Sequence, residues 1–377
     1  MSTAAPAYLD YNATAPIRPG ALEALTASLV SGGNPSSVHA TGRAARRRIE
    51  AARSAVAALV NGLASDVIFT SGGTEANNLA ILGSKPRCVV ASAVEHDAVL
   101  APAHSSGAEV RLIRVDRDGR LDLEHLEQLL ATAPREGTLV SVMLANNETG
   151  VIHPVAEVAA RARARGAIIH CDAVQAAGKI AIDIGALNVD LLTLSAHKLG
   201  GPQGAGALVA RVDVDPVQRG GGQERGLRAG TENVAAIVAF GAAAEAALAE
   251  LSTFAQLAGL RDDLERRIAA LAPDVVFHGG ACARLPNTSC IGTVGLPAET
   301  QVMALDLAGV AVSAGAACSS GKLRPSHVLT AMGHAEDAAR AAIRVSLGWG
   351  TTPADIDRCV EAWSALYRRT RTAKSAA

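Results

Sequence analysis

Aromatic residues make up only 2% of the 377 residues although 49% are hydrophobic, so the interior must be built from Ala, Val, Leu and Ile in close contact rather than from stacked rings. Aromatic cages for a cationic ligand are thereby excluded. No charge sign is in excess: 35 basic residues face 36 acidic ones. A balanced surface offers no general field for a polyanion, which argues against nucleic acid or an anionic membrane as partner and favours a small ligand. Long apolar runs are also missing. The longest in the Ala-rich segment, Val234 to Ala244, stops at Glu245, well short of the about 20 residues that cross a bilayer, and reads as a packed helix. The start, MSTAAPAYLDYNATA, has neither a basic opening nor a hydrophobic segment of signal-peptide type, so a cytoplasmic location is expected. Cysteine occurs six times without any CxxC pair, which fits neither a disulfide framework nor a structural metal site.

What is present is an alternation. Short β-rich runs stand at VIFT (67–70), RCVVAS (87–92), EVRLIRV (109–115), TLVSVML (138–144), AIIHC (167–171) and DLLTLS (190–195), with helical stretches between them. The order predicts an α/β fold with a mainly parallel, doubly wound sheet and a ligand beyond the carboxyl ends of its strands. Polar clusters follow the strands there: SGGTEANN, AVEHD, ANNETG, DAVQ and AHKLGGPQG. The character of the chain changes near residue 255. A large domain over 15–255 and a smaller α+β domain over 256–377, joined by 1–14, are expected, the second with strands at NTSCIGT (287–293) and IRVSLG (343–348).

Two strand-end residues carry the chemistry. Asp172 closes a buried strand, where a carboxylate needs a cationic or protonated nitrogen partner. Lys198 follows another, and a desolvated lysine has the lowered pKa that a Schiff-base amine requires. Pyridoxal phosphate would satisfy both, with Gln175 for its phenolic oxygen and Thr74, Ser195 and His197 for its phosphate. Each residue also has a plain structural reading, since Thr74 in SGGTE could be an ordinary N-cap and His96 a surface imidazole. GAACSSGKL is not a Walker loop, having five residues between its glycines and Leu323 after the lysine. GGPQGAG follows a late strand with no acidic residue in the dinucleotide position, which leaves a dehydrogenase a distant alternative.

SAHKLGGPQGAG resembles the cofactor-lysine motif of the class V aminotransferase family, and more narrowly of its NifS/IscS group of cysteine desulfurases. YLDYNATAP, NPSSVH (34–39), SGGTEANN, EHDAV (95–99), ANNETG, HCDAVQ, GGGQERGLRAGTEN, SAGAACSS and IRVSLG agree in order over nearly the whole chain. The resemblance implies a fold-type I, pyridoxal-phosphate-dependent homodimer that converts L-cysteine to L-alanine. It implies that Lys198 forms the Schiff base and moves the proton, that Asp172 holds the ring nitrogen protonated, and that Gln175 meets the phenolic oxygen. His96 would stack on the ring, with Asn146 near ring and substrate. Thr74, Ser195 and His197 would bind phosphate with Thr231 of the neighbouring subunit. Arg344 would hold the substrate carboxylate, assisted by Asn34.

Cys318, in SAGAACSSG, would accept the sulfur as a persulfide and deliver it to an acceptor protein such as an iron–sulfur scaffold. Through that persulfide it would be a transient iron–sulfur ligand, with no resident metal. The other five cysteines read as buried fillers. GAAC with Lys322 and Arg324 after it departs from the family's GSAC and acidic-leaning segment, and leaves the acceptor open. Cys171 for the usual valine and Ala229 for serine are further departures, both read as packing changes. A selenocysteine lyase, another class V aminotransferase or lyase, and a non-catalytic scaffold on the same fold are the alternatives. A need for a keto-acid acceptor, or failure to bind the cofactor, would select among them.

Overall fold

In a computed structural model the chain is described over residues 6–314 and 325–375, with side chains through residue 371. It opens with β1 (Ala7–Tyr8) and then builds a seven-stranded sheet from β2 (Val67–Thr70), β3 (Cys88–Ser92), β4 (Glu109–Ile113), β5 (Thr138–Ser141), β6 (Ile168–Asp172), β7 (Leu191–Ser195) and β8 (Gly206–Ala210). The spatial order is β2-β8-β7-β6-β5-β3-β4. All neighbours run parallel except β8, which is antiparallel to both β2 and β7.

Six of these strands lie where alternation of short apolar runs places them. The exception is β8, whose GALVA is hidden in the sequence behind a string of glycines. Gly206 opens it for a steric reason: a Cβ there would stand 2.5 Å from the Gly72 carbonyl carbon. Only hydrogen at that position lets β8 pass beneath the turn that leaves β2. The ladder of β5 also ends earlier than the apolar run TLVSVML. The Met143 N–H donates to Glu95 Oε1 at 2.7 Å, so a side chain replaces the next strand as its acceptor.

Alternate residues along the strands face opposite ways, as a pleat demands. Val90, Val140, Leu192 and Val209 join one apolar cluster with Ile49, Val56 and Phe240 of the covering helices. Val89, Leu139, Leu191 and Leu208 join another with Leu79, Ile81 and Val99. Both faces are thus covered, and the polar ends of the strands are the part of the sheet left for a ligand.

The remaining strands are β9 (Val276–Phe277), β10 (Thr288–Gly292), β11 (Val310–Ala311), β12 (Ser313–Ala314) and β13 (Ala342–Ser346). Four form an antiparallel sheet in the order β12-β13-β10-β9, and β11 pairs in parallel with β1. Their core includes Leu264, Ile343 and Trp363, together with Ala7 and Leu9 from the start of the chain. Residues following β1 then run back to the large sheet. The Ala15 N–H donates to the His197 carbonyl and the Arg18 N–H to that of Gly200, both at 2.8 Å. The segment 7–18 therefore ties the small sheet to the turn that holds Lys198.

Candidate active site

A cavity of about 560 Å³ opens at the carboxyl ends of the large sheet. Lys198, Asp172, Gln175, Ser195, His197, Thr74, His96 and Arg344 all line it. Lys198 ends a single helical turn that begins directly after β7, closed by the Leu199 and Gly201 N–H groups on the Ala196 carbonyl. Its Nζ donates to the carbonyls of Asn12 and Ala13, each at 2.7 Å. Burial and the Arg344 charge push this amine down to about 8, against an opposing pull from Asp10 and Asp172. It can therefore shed its proton near neutral pH, which a nucleophilic amine must do.

Asp172 is the last residue of β6, the strand next to β7, so sheet pairing sets its place relative to Lys198. One carboxylate oxygen accepts from Asn77 Nδ2 at 2.8 Å and the other from the Val174 N–H at 2.9 Å. Two donors on different oxygens fix the carboxylate plane. Gln175 follows in the next turn of chain, its Nε2 donating to the Asn12 carbonyl at 2.9 Å. His96 caps the helix Asp97–Ser105, Nδ1 accepting from the Ala98 N–H at 3.0 Å. Burial lowers its pKa, and with Nδ1 as acceptor the neutral ring carries its proton on Nε2.

Thr74 lies in the first turn of the helix Gly73–Gly83, where the first N–H groups have no intrahelical acceptor. Ser195 stands beside this helix start, its Cβ 3.4 Å from where a Gly73 Cβ would lie, and His197 is a further wall of the cavity. Burial and the neighbouring Lys198 lower the His197 imidazole to about 4, so it is neutral, with Nδ1 3.2 Å from Thr14 Oγ1. A dipole end, free N–H groups and hydroxyls are the kinds of group that suit an anion.

Arg344, on β13, reaches the cavity from the opposite side. Its Nη1 donates to the Asn147 carbonyl at 3.0 Å and its Nη2 to Asp10 Oδ1 at 2.8 Å. Among the described residues, its buried Nε has no acceptor.

Three residues singled out in the sequence stand elsewhere. Asn146 is buried but spends its amide on backbone groups, donating to the Val94 carbonyl of the segment after β3 and accepting from the N–H groups of Glu148 and Thr149 in its own loop, while Asn147 beside it lines the cavity. Asn34 is exposed, its Oδ1 accepting from the Ser36 N–H, and Thr231 is exposed as well. Neither lines the cavity of this chain.

Cys318 lies outside the described residues; Ala314 and Pro325, on either side of that segment, both line the cavity. Of the other cysteines, Cys88, Cys171, Cys290 and Cys359 are buried and Cys282 half-buried. Burial raises all five thiols, Cys359 to about 12, so none is poised as a thiolate. Among the described residues, no three His, Cys, Asp or Glu side chains are grouped as a metal ion would need. No single described helix is long and apolar enough to cross a membrane.

Several residues went unassigned in the sequence: Asp10, Asn12, Asn77, Glu148 and Lys179. YLDYNATAP contains the first two, and Lys179 stands one helical turn after Gln175, a spacing that places both on one side.

The Aminotransferase class-V family description matches residues 7–359. The chain belongs to that family. It is 48% identical over 367 residues to a protein named cysteine desulfurase from Cereibacter sphaeroides, covering 94% of each. It is 40% identical over 378 residues to the cysteine desulfurase IscS of Dictyoglomus turgidum, covering 97% of this chain and 95% of that one. A solved NifS-like protein from Rickettsia africae ESF-5 matches with a TM-score of 0.90 at 36% identity, over 96% of this chain and 99% of the other. With its mostly parallel sheet covered on both faces, the chain has the fold-type I architecture.

Proposed function

We propose that this chain is a pyridoxal-phosphate-dependent cysteine desulfurase, which takes L-cysteine and the Cys318 thiol to L-alanine and a Cys318 persulfide. One observation carries the reading: an amine held at about 8, a strand-end carboxylate and a guanidinium from the opposite sheet line a single cavity. The cavity suits the cofactor chemically. Asp172, fixed by Asn77 and Val174, would pair with the ring nitrogen, and Lys198 with the aldehyde. Gly73, Thr74, Ser195 and His197 would hold the phosphate. A Cβ on Gly73 would lie 2.9 Å from Val174 Cγ2 and narrow the space at the helix start. When bound, the pyridinium supplies an electron sink for bonds breaking at the substrate.

The residues of the chain supply the rest. Arg344 binds the substrate carboxylate, and its pairing with Asp10 sets the fork. Lys198 moves the proton at the substrate Cα, and His96, a wall of the same cavity, would stack on the ring with Nε2 available for proton transfer. The Cys318 thiolate takes the sulfur and passes it to an acceptor protein, of which an iron–sulfur scaffold is the favoured kind. Asn146 supports the loop that carries Asn147. Asn34 and Thr231 are assigned to a homodimer, Thr231 reaching the phosphate of the neighbouring subunit. The same reading divides the chain near residue 255 and joins residues 1–14 to the second domain, which the β1–β11 pairing and the shared core support.

The test is purified protein with L-cysteine. Stoichiometric alanine and a reductant-labile persulfide are expected, and Cys318→Ala should lose both. Equal alanine and sulfide from Cys318→Ala would overturn the reading.

A further inference from the structure

We propose that Lys179 is a positioning residue that orients the Gln175 amide so that it presents an N–H to the cofactor's phenolic oxygen. This rests on the pyridoxal-phosphate reading above. Lys179 is buried, 3% exposed. Its Nζ meets two amide oxygens, Asn12 Oδ1 at 2.6 Å and Gln175 Oε1 at 2.8 Å. Desolvation, with Lys198 and Arg344 nearby, holds its pKa well below the ordinary lysine value. An amine is a costly group to bury where an apolar chain of the same length would fit, so its hydrogen bonds are the feature to explain.

The geometry leaves Gln175 one orientation. Its Oε1 faces the Lys179 amine, which donates. On the other side Nε2 donates to the Asn12 carbonyl at 2.9 Å, a group that can only accept. One N–H of the amide is thus used, the second has no acceptor among the described residues, and Gln175 is a wall of the cavity. A rotated amide would turn its oxygen toward an electron-rich phenolic oxygen and repel it. Lys179 stands four residues after Gln175 on turns closed by the Ala177 N–H on the Ala173 carbonyl and the Ile180 N–H on that of Ala176, so both side chains leave on the same side.

Asn12 extends the hold. Its Nδ2 donates to Thr288 Oγ1 at 2.9 Å, its Oδ1 accepts from Asn287 Nδ2 at 3.1 Å, and its carbonyl also accepts from Lys198. Lys179 thereby links β10 of the small sheet to two cofactor-facing side chains of the large one.

The experiment titrates, with pH, the visible absorption of pyridoxal phosphate bound at Lys198 in wild type, K179M, Q175A and the double variant K179M/Q175A. Loss of an N–H donor makes the phenolic oxygen hold the shared proton more tightly, so the midpoint rises. K179M is expected to raise it by about one pH unit, the size of one hydrogen bond to a charged group. Q175A should move it the same way, and the double variant should match Q175A. K179L, which also removes the donor to Gln175 Oε1, serves if K179M does not fold, and K179Q, which keeps a donor there, should shift less than either. An unmoved midpoint in K179M, or in K179L where K179M does not fold, overturns the proposal. So does a K179M shift of equal size with and without Gln175, which would mark a charge effect not routed through the amide. A wild type without a visible band would instead overturn the cofactor reading, and this inference with it.

Discussion

The two sides of the cavity hold their charged groups by different means. On the large-sheet side, Asp172 and Lys198 stand at or just past the ends of adjacent strands, and backbone pairing between β6 and β7 sets their separation. On the other side, β13 pairing holds the Arg344 backbone, but its guanidinium is aimed by Asp10, 334 residues away in sequence, and by the Asn147 carbonyl. Sheet register is a cooperative property of many hydrogen bonds, whereas two side-chain bonds can be lost one at a time. Substitutions on the large-sheet side should therefore remove chemistry from an intact frame, and those on the other should loosen binding.

Lys198→Ala is the harshest test of the first side. No alanine formation and no visible cofactor band are expected, with the circular dichroism of the wild type retained. Asp172→Asn keeps the shape and removes the charge facing the ring nitrogen. It should lower kcat by roughly 10²–10³-fold, as losses of a fixed charge at a reacting centre do, with KM for cysteine little changed. A rise in KM with kcat unchanged would mean that Asp172 acts in binding.

The pH dependence of the apo-protein sharpens the same side. Burial and Arg344 depress the Lys198 amine from the ordinary 10.5 to about 8, so only its free-base form increases as pH rises toward 8. Capture of pyridoxal phosphate should accelerate by about tenfold per pH unit up to about pH 7, bend over near 8 and level off above. Stability follows the sign of linkage. The unfolded lysine binds more proton than the folded one between about 8 and 10.5, so this group's contribution rises with pH across that window. An acceleration that continued to pH 10 would show an amine of ordinary basicity.

Legibility in the sequence divides along the same line. The strand-end residues could be read because a parallel sheet turns local order into spatial order: each apolar run is followed by residues that must stand at the ligand edge. Cys171 could likewise be read as packing, and it is fully buried in β6. Asp10, Asn12 and Lys179 could not be assigned a partner, because the groups they meet are fixed only when residues 7–18 cross from one sheet to the other. β8 was missed for a local reason, its glycines reading as a flexible loop when one of them meets a close approach of backbone. Asn146 shows the limit of carrying roles by motif: ANNETG lies at the site, but the cavity wall is Asn147, and Asn146 is spent holding the turn.

On the opposite side, Arg344→Lys keeps the charge and removes the planar fork. A rise of about tenfold in KM for cysteine, with kcat within about twofold, is expected from losing one bidentate contact. If kcat fell instead, Arg344 would be acting on the reacting atoms.

Asp10 gives the finest distinction. Its Oδ1 accepts from Arg344 Nη2 at 2.8 Å across a pair in which the guanidinium is 6% exposed and the carboxylate 19%. If Asp10 serves chiefly to aim Arg344, then an acceptor is what matters. Asp10→Asn, which retains a carbonyl oxygen, should then leave KM within about twofold of wild type, whereas Asp10→Ala should raise it by roughly fivefold, the cost of about 1 kcal/mol for one lost hydrogen bond. If Asp10 instead competes with the substrate carboxylate for the guanidinium charge, both variants should lower KM. The sign of the Asp10→Ala effect therefore separates a residue that aims the fork from one that occupies it.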